Sequence, residues 1–220
     1  MTEVLLNVEN LHTEFRTEGG VVHAVDDVSF QVKKGETFAL VGESGCGKSV
    51  TALSIMGLIP NPPGEITSGK IEFNGVDLLK LESRDMRALR GSKMGMIFQE
   101  PMSSLNPVIT IESQLAEPLK IHMDMSNKAA NDRAADLIDM VGIPDPKTRL
   151  KQYPHELSGG QRQRIMIAMA MSCSPELLIA DEATTALDVT IQAQILDLMQ
   201  DVTEQSGAST LIITHNLGIV

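Results

Sequence analysis

The sequence of 220 residues has few aromatic residues, no tryptophan, and fewer basic than acidic residues. Because aromatic residues make up only 3% and there are thirteen methionines, we expect an aliphatic core in which methionine fills irregular gaps. The formal net charge of −11 argues against general nucleic-acid binding, since phosphate backbones are held by lysine and arginine. No apolar run reaches the roughly 20 residues of a transmembrane helix. We therefore expect a protein that is cytosolic or peripheral to a membrane.

Cysteine is also scarce. The two cysteines, Cys46 and Cys173, have a spacing that indicates neither a disulfide framework nor a metal cluster, and such isolated thiols fit a reducing compartment. The acidic start at Glu3 lacks the basic region of a signal peptide. The scarcity of cysteine and the acidic N-terminus thus also favour a cytosolic or peripheral protein.

A phosphate-binding loop is present at residues 42–49, which fit the pattern G-x-x-x-x-G-K-[ST]. The apolar run 37–41 predicts a strand before the loop and the run 51–56 a buried helix after it, which is the context that the pattern requires. We expect Lys48 to reach the β and γ phosphates of a nucleoside triphosphate and Ser49 to bind Mg²⁺. A chance match in an ordinary turn is the alternative. The ATP-binding residues expected here are Gly42, Glu43, Ser44, Gly45, Cys46, Gly47, Lys48, Ser49 and Val50.

Hydrophobic periodicity predicts an α/β fold. Residues 4–8 and 25–32 alternate in the period of half-buried strands and indicate an N-terminal antiparallel β-subdomain. Between residues 99 and 155 the pattern changes to helices and connectors, which indicates an inserted helical subdomain. The ATP-binding core, a P-loop NTPase with a mixed or parallel sheet flanked by helices, is expected at residues 1–98 and 156–220. Strands are also predicted at 70–73, 94–98, 177–180 and 210–214, and helices after Ser158 and over 191–202.

Two adjacent carboxylates, Asp181 and Glu182, follow the apolar strand predicted at 177–180. Ligands of α/β sheets bind at the carboxyl ends of the strands. In phosphate-loop ATPases an aspartate at this place holds Mg²⁺, and a following glutamate can act as general base on the attacking water. An acidic pair at the start of a helix is the alternative that these two residues alone leave open.

A second anion site is predicted at residues 157–161, with the sequence LSGGQ. Ser158 can cap a helix, and its hydroxyl, the glycine N–H groups and the helix N-terminus together favour an anion. One chain would then have two places for one γ phosphate. The residues of this segment expected to contact phosphate are Ser158, Gly159, Gly160 and Gln161.

Taken in order, these motifs resemble those of the ATP-binding cassette (ABC) superfamily over nearly the whole chain. The resemblance implies ATP and Mg²⁺ as ligands. It also implies a head-to-tail dimer with a homologous or identical ATPase subunit, in which residues 158–161 of one subunit contact the ATP of the other. The segments that carry the resemblance are the phosphate loop, Gln99, Leu157–Gln161, Leu177–Glu182, Ala186–Asp188 and His215.

The resemblance further implies roles for single residues. Gln99 would contact Mg²⁺ and the attacking water and link to the transport subunits, and His215 would contact the γ phosphate. Phe15 stands where the family stacks an aromatic ring on adenine, although a plain strand residue is the alternative. Asp188 is expected at the dimer interface. The resemblance implies Glu182, His215 and Lys48 as catalytic residues, and Ser49, Gln99 and Asp181 as Mg²⁺ ligands.

Four stretches are similar to the ATPases of oligopeptide, dipeptide and nickel importers. They are residues 54–59, 101–107, 153–157 and 184–190. This similarity implies a peptide importer subunit at the cytoplasmic face of the bacterial inner membrane. Its partners would be two transmembrane permease subunits and, indirectly, an extracytoplasmic peptide-binding protein.

Some features depart from the family pattern, and alternatives remain open. Cys46, Val50, Ala183 and Asn216 stand where other residues are commoner, but none of them removes a phosphate or metal ligand. The sequence stops five residues after His215, which leads us to expect a fragment. The alternatives are an importer of nickel or another small solute, a soluble ABC ATPase of DNA repair or translation, a phosphate-loop kinase or GTPase, and a chain that binds nucleotide without hydrolysing it.

Overall fold

The structure is a computed structural model that describes residues 3–99, 104–183 and 189–216. The chain forms two compact units. The first unit comprises Met1–Arg90 and Ser209–Val220, and the second comprises Gly91–Ala208.

The first unit contains an antiparallel sheet in the order β2-β1-β4-β5. The strands are β1 (Val4–Thr17), β2 (Gly20–Lys33), β4 (Gly64–Phe73) and β5 (Val76–Asp77). The expected strands 4–8 and 25–32 are too short, because β1 and β2 have 14 residues each. Register shifts after Val8, Leu11 and Thr13 interrupt the pairing. The buried positions change from Leu6 and Val8 to Leu11 and Thr13, an odd spacing, so the alternation that marks a strand in the sequence is lost between Val8 and Leu11.

The first unit also contains a parallel strand pair. β3 (Thr37–Val41) pairs with β8 (Ser209–Thr214), and Val41 lies opposite Thr214. β3 leads into helix α1 (Lys48–Ile55), and helix α2 (Ser83–Leu89) follows a short 3-10 helix at Leu78–Lys80. Both predicted strands, at 37–41 and 210–214, are therefore confirmed.

The second unit combines a parallel strand pair with five helices among its described residues. β6 (Met94–Ile97) pairs with β7 (Leu177–Asp181), and Ile97 lies opposite Ala180. A 3-10 helix spans Pro154–Glu156. The helices are α3 (Ile111–Met123), α4 (Asn127–Met140), α5 (Pro146–Arg149), α6 (Gly159–Met171) and α7 (Val189–Ser206).

The core of the second unit is aliphatic. Its buried side chains lie on α3, α4, α6, α7, β6 and β7, with methionine at Met166, Met171 and Met199. The amphipathic face expected around Leu137 and Ile138 is part of this core. Among the described residues, no helix has the length and apolar character needed to cross a membrane.

Candidate nucleotide site

The phosphate loop of the first unit lies between β3 and α1, as the sequence predicts. Gly45 has φ = +83° and Gly47 has φ = +95°, a left-handed conformation that side chains disfavour. A Cβ atom on Gly47 would stand 2.1 Å from the carbonyl oxygen of Ala24 in β2. Glycine at position 47 is therefore required both by the backbone conformation and by the close approach of β2. The loop residues Glu43, Ser44, Gly45 and Cys46 are exposed, and Ser49 and Val50 are half-buried in the first turn of α1.

Lys48 is the first residue of α1, and only 6% of it is exposed. Its Nζ donates hydrogen bonds to the carbonyl oxygens of Gly42 and Glu43, both at 2.8 Å, and lies 3.9 Å from the Sγ atom of Cys46. The ammonium group is thus held over the loop by neutral acceptors. Phosphate oxygens are charged acceptors and bind an ammonium more strongly than carbonyls do, so they could replace these contacts.

His215 lies at the same sheet edge as the phosphate loop. It follows β8 directly, and Gly42 follows β3 directly. Because Val41 and Thr214 are paired in parallel, Gly42 and His215 leave neighbouring strands at their carboxyl ends. His215 is exposed there. The two predicted phosphate contacts therefore share one edge of the first unit.

Phe15 lies in β1, paired with Val22 on one side and Gly64 on the other. The side chain is half-buried, and its Cε1 atom would stand 2.8 Å from a Cβ atom placed on Gly64. The ring therefore packs over the backbone of Gly64. The expected stacking of Phe15 on adenine stays a prediction.

In the second unit, Gln99, Asp181 and Glu182 come together after β6 and β7. The Nε2 atom of Gln99 donates a hydrogen bond of 2.9 Å to Oε2 of Glu182. Asp181 is the last residue of β7 and is only 5% exposed. Glu182 is half-buried and has φ = +46°. A non-glycine residue in this left-handed region is uncommon and is typical of functional turns.

The segment predicted as a second anion site forms the N-terminus of α6. Ser158 is the N-cap, because its Oγ accepts a hydrogen bond from the backbone N–H of Gln161 at 3.3 Å. The Oε1 atom of Gln161 accepts one from the backbone N–H of Ser158 at 3.0 Å. This capping box places Gly159 and Gly160 in the first helical turn. The backbone N–H groups of that turn, near the positive end of the helix, suit an anion.

Asp188, expected at the dimer interface, lies outside the described residues.

Two residues that constrain the site were not predicted from the sequence. They are Ala24, whose carbonyl oxygen excludes a side chain at position 47, and Gln163, a buried polar residue of α6. Gln163 could have been noticed because it shares a helical face with Met166, Ile167 and Ala170, an apolar stripe in which an amide is unexpected.

The chain matches a model of a known protein family. A model of the ABC transporter family matches residues 25–185, which include the phosphate loop, Gln99, the LSGGQ segment and the pair Asp181-Glu182. The chain belongs to the ABC transporter family. This confirms the resemblance inferred from the motifs.

Related proteins are similar to the chain over almost its whole length. The dipeptide transport ATP-binding protein of Bacillus subtilis (strain 168) is 56% identical over 218 residues, which are 99% of this chain and 65% of the relative. The oligopeptide transport ATP-binding protein of the same organism is 54% identical over 216 residues, 98% of this chain and 60% of the relative. The chain thus spans 60 to 65% of the length of these two relatives.

Solved structures confirm the α/β cassette fold. A dimeric bacterial ABC transporter cassette has a TM-score of 0.86 at 26% identity, covering 98% of this chain and 90% of that one. A post-hydrolysis state of the same dimeric cassette, bound to ADP and Pi, gives the same values.

Proposed function

We propose that this chain is the ATP-binding and ATP-hydrolysing part of a bacterial peptide importer. The hydrogen bond between Gln99 and Glu182 carries the proposal, because it fixes a carboxylate at the end of β7, directly after a buried aspartate. In this proposal, the phosphate loop of the first unit binds the triphosphate. The proposed cargo, a peptide, is taken from the names of the two relatives, which are dipeptide and oligopeptide transport ATP-binding proteins.

Glu182 is the general base in this proposal. A carboxylate can accept a proton from water when it is correctly aimed, and the Gln99 amide holds one of its two oxygens. In this proposal the carboxylate accepts the proton of the attacking water. Lys48 and the N–H groups of the loop stabilise the charge on the phosphates, and His215 contacts the γ phosphate from the end of β8.

We propose Ser49, Gln99 and Asp181 as the ligands of Mg²⁺. Ser49 offers a hydroxyl, Gln99 an amide oxygen and Asp181 a carboxylate, and these are the hard oxygen ligands that Mg²⁺ prefers. Asp181 lies at the buried end of β7. When bound, the ion supplies positive charge beside the phosphoryl oxygens.

The assembly that we propose contains a second ATPase subunit, identical or homologous, in a head-to-tail dimer. Ser158, Gly159, Gly160 and Gln161 would then contact the ATP held by the partner. The dimeric form of the cassettes with the same fold supports this arrangement. We also propose two transmembrane permease subunits and a location at the cytoplasmic face of the inner membrane, with a peptide-binding protein on the other side.

We propose residues 1–98 and 156–220 as the ATP-binding core and residues 99–155 as the helical subdomain. Helices α3, α4 and α5 all lie between residues 99 and 155, which supports this division.

Replacement of Glu182 tests the hydrolytic function. In the complete protein with its membrane subunits, Glu182→Gln should keep ATP binding and lower kcat for ATP hydrolysis by about 10²- to 10⁴-fold, the usual effect of a general base. Glu204→Gln, an exposed glutamate of α7, is the matched control and should hydrolyse ATP normally. Hydrolysis by Glu182→Gln at the rate of the wild type would contradict the proposal. Uptake of labelled dipeptide or oligopeptide, but not of nickel, by reconstituted vesicles tests the cargo.

A further inference from the structure

The side chain of Gln163 is buried inside the second unit and is 1% exposed. It lies on α6, whose neighbouring residues Ile165, Met166 and Ile167 are apolar and buried. An amide in such surroundings is unfavourable unless its hydrogen bonds are made. The Nε2 atom of Gln163 donates a hydrogen bond to the carbonyl oxygen of Ala183. This contact joins α6 to the segment that follows β7.

Ala183 is the residue directly after Glu182. Glu182 has φ = +46°, a conformation that side chains disfavour, so it is kept only where its surroundings hold it. Two amides act on this short turn. Gln99 binds the carboxylate of Glu182 at 2.9 Å, and Gln163 binds the backbone one residue further along.

The two amides restrain different parts of Glu182. Gln99 restrains the direction of the carboxylate, whereas Gln163 restrains the backbone from which the side chain projects. A general base acts efficiently only when its oxygen is within hydrogen-bond reach of the proton that it abstracts. A displaced backbone at Ala183 would move that oxygen even if the bond to Gln99 survived.

We propose that Gln163 is a positioning residue for Glu182, acting through the carbonyl oxygen of Ala183. The inference rests on the proposed function, in which Glu182 is the general base. Because Gln163 is buried, we place it in contact with neither the nucleotide nor the attacking water. Its replacement should therefore change the rate of the chemical step and leave the binding of ATP unchanged.

The variant Gln163→Met tests the inference because methionine has a similar length and no donor. In the complete protein we expect kcat for ATP hydrolysis to fall by roughly 10- to 100-fold, the effect of misplacing a catalytic group by about 1 Å. The KM for ATP and the Kd of a fluorescent ATP analogue should stay within about twofold of the wild type. A rise in KM with unchanged kcat would contradict a positioning role.

A double-mutant cycle distinguishes positioning from general destabilisation. If Gln163 acts through the Glu182 carboxylate, Gln163→Met should cause no further loss of kcat in a Glu182→Gln background. A merely structural role would give the same fold loss in both backgrounds. Equal losses would therefore overturn the inference.

Gln114 provides a matched control. It is also a buried glutamine of the second unit, and its amide donates to the carbonyl oxygens of Asn106 and Ile109 at 3.0 and 2.8 Å. Gln114→Met removes bonds of the same kind from a different loop. It should lower the melting temperature by at least as much as Gln163→Met while leaving kcat near that of the wild type.

Failure of the inference and failure of the proposed function give different results. If the wild type does not hydrolyse ATP, the proposed function is wrong. If the wild type hydrolyses ATP and Gln163→Met has the same kcat, Glu182 does not depend on Gln163. Gln163→Asn, which withdraws the amide by one methylene, answers the same question if Gln163→Met does not fold, and it too should lower kcat.

Discussion

The Oγ1 atom of Thr13 lies 2.9 Å from the Oγ atom of Ser54, and both residues are buried although 41 positions separate them. Ser54 donates its own proton to the carbonyl oxygen of Val50 at 2.8 Å, so Thr13 donates in the shared bond. This bond joins β1 to α1. The strand that carries Phe15 is thereby fixed to the helix that begins at Lys48.

Removal of the Thr13 hydroxyl should destabilise the first unit. Thr13→Val keeps the volume but leaves Ser54 without its donor, so we expect a loss of about 1 to 3 kcal/mol in the free energy of unfolding. Thr13→Ser should lose less because it keeps the hydroxyl. Urea denaturation measures the free energy of unfolding of both variants. Thr203→Val is the control, because the Thr203 hydroxyl bonds to the carbonyl oxygens of Met199 and Gln200 within its own helix. An equal loss of unfolding free energy in Thr203→Val would mean that the bond between Thr13 and Ser54 stabilises the protein no more than a bond within one helix.

Replacement of Gly47 should abolish nucleotide binding. In Gly47→Ala the new Cβ atom would stand 2.1 Å from the carbonyl oxygen of Ala24, so the loop or β2 must move. A displaced loop loses the aligned N–H groups that hold phosphate. We expect no measurable binding of an ATP analogue by fluorescence titration.

Gly207→Ala separates this steric effect from backbone strain. Gly207 has φ = +69°, but a Cβ atom there meets nothing within 4 Å. The variant should therefore lose only about 1 to 2 kcal/mol from the left-handed conformation and bind the ATP analogue normally. Normal binding by Gly47→Ala would show that the approach of Ala24 does not constrain the loop.

Features that depend on near neighbours in the chain could be predicted from the sequence. The phosphate loop needs a strand, glycines and a helix in succession, and the capping box needs Ser158 three residues before Gln161. The loop is present where expected, and Ser158 caps α6 as expected. The strand end that carries Asp181 was also predictable, because a fully apolar run ends there.

Contacts between distant segments could not be predicted from the sequence. The shared hydroxyls of Thr13 and Ser54, and the bond from Gln163 to Ala183, depend on packing that periodicity does not encode. The length of β1 was missed for a related reason, since its register shifts break the alternation by which strands are recognised. The residues that carry the chemistry of the site could thus be predicted from the sequence. The contacts that hold those residues in place could not.

Dimerisation through the N-terminus of α6 should depend on ATP. In a Glu182→Gln background, sedimentation velocity should show a larger species with MgATP than with MgADP, because a ligand that binds only the closed dimer stabilises it. Ser158→Arg should abolish this difference by filling the anion site with a bulky side chain. An ATP-independent monomer in the complete protein would contradict the proposal.

Ser126→Arg is the matched control for the loss of a helix cap. Ser126 caps α4 by accepting a hydrogen bond from the backbone N–H of Ala129 at 3.3 Å, as Ser158 does for Gln161. Both variants lose a cap, worth about 1 kcal/mol. Only Ser158→Arg should lose the response to MgATP.

The two cysteines should differ in their reaction with N-ethylmaleimide. Cys46 is exposed on the phosphate loop, whereas Cys173 is buried, and burial raises the pKa of its thiol despite a hydrogen bond from Ser172. Because the thiolate is the reactive form, Cys173 should be modified slowly at pH 7 and faster as the pH rises. Mass spectrometry should find Cys46 modified first, with loss of ATP binding in parallel and with protection by MgATP. In denaturant both thiols should react at similar rates. Equal modification of the folded protein, or modification of Cys46 that ignores MgATP, would contradict this prediction.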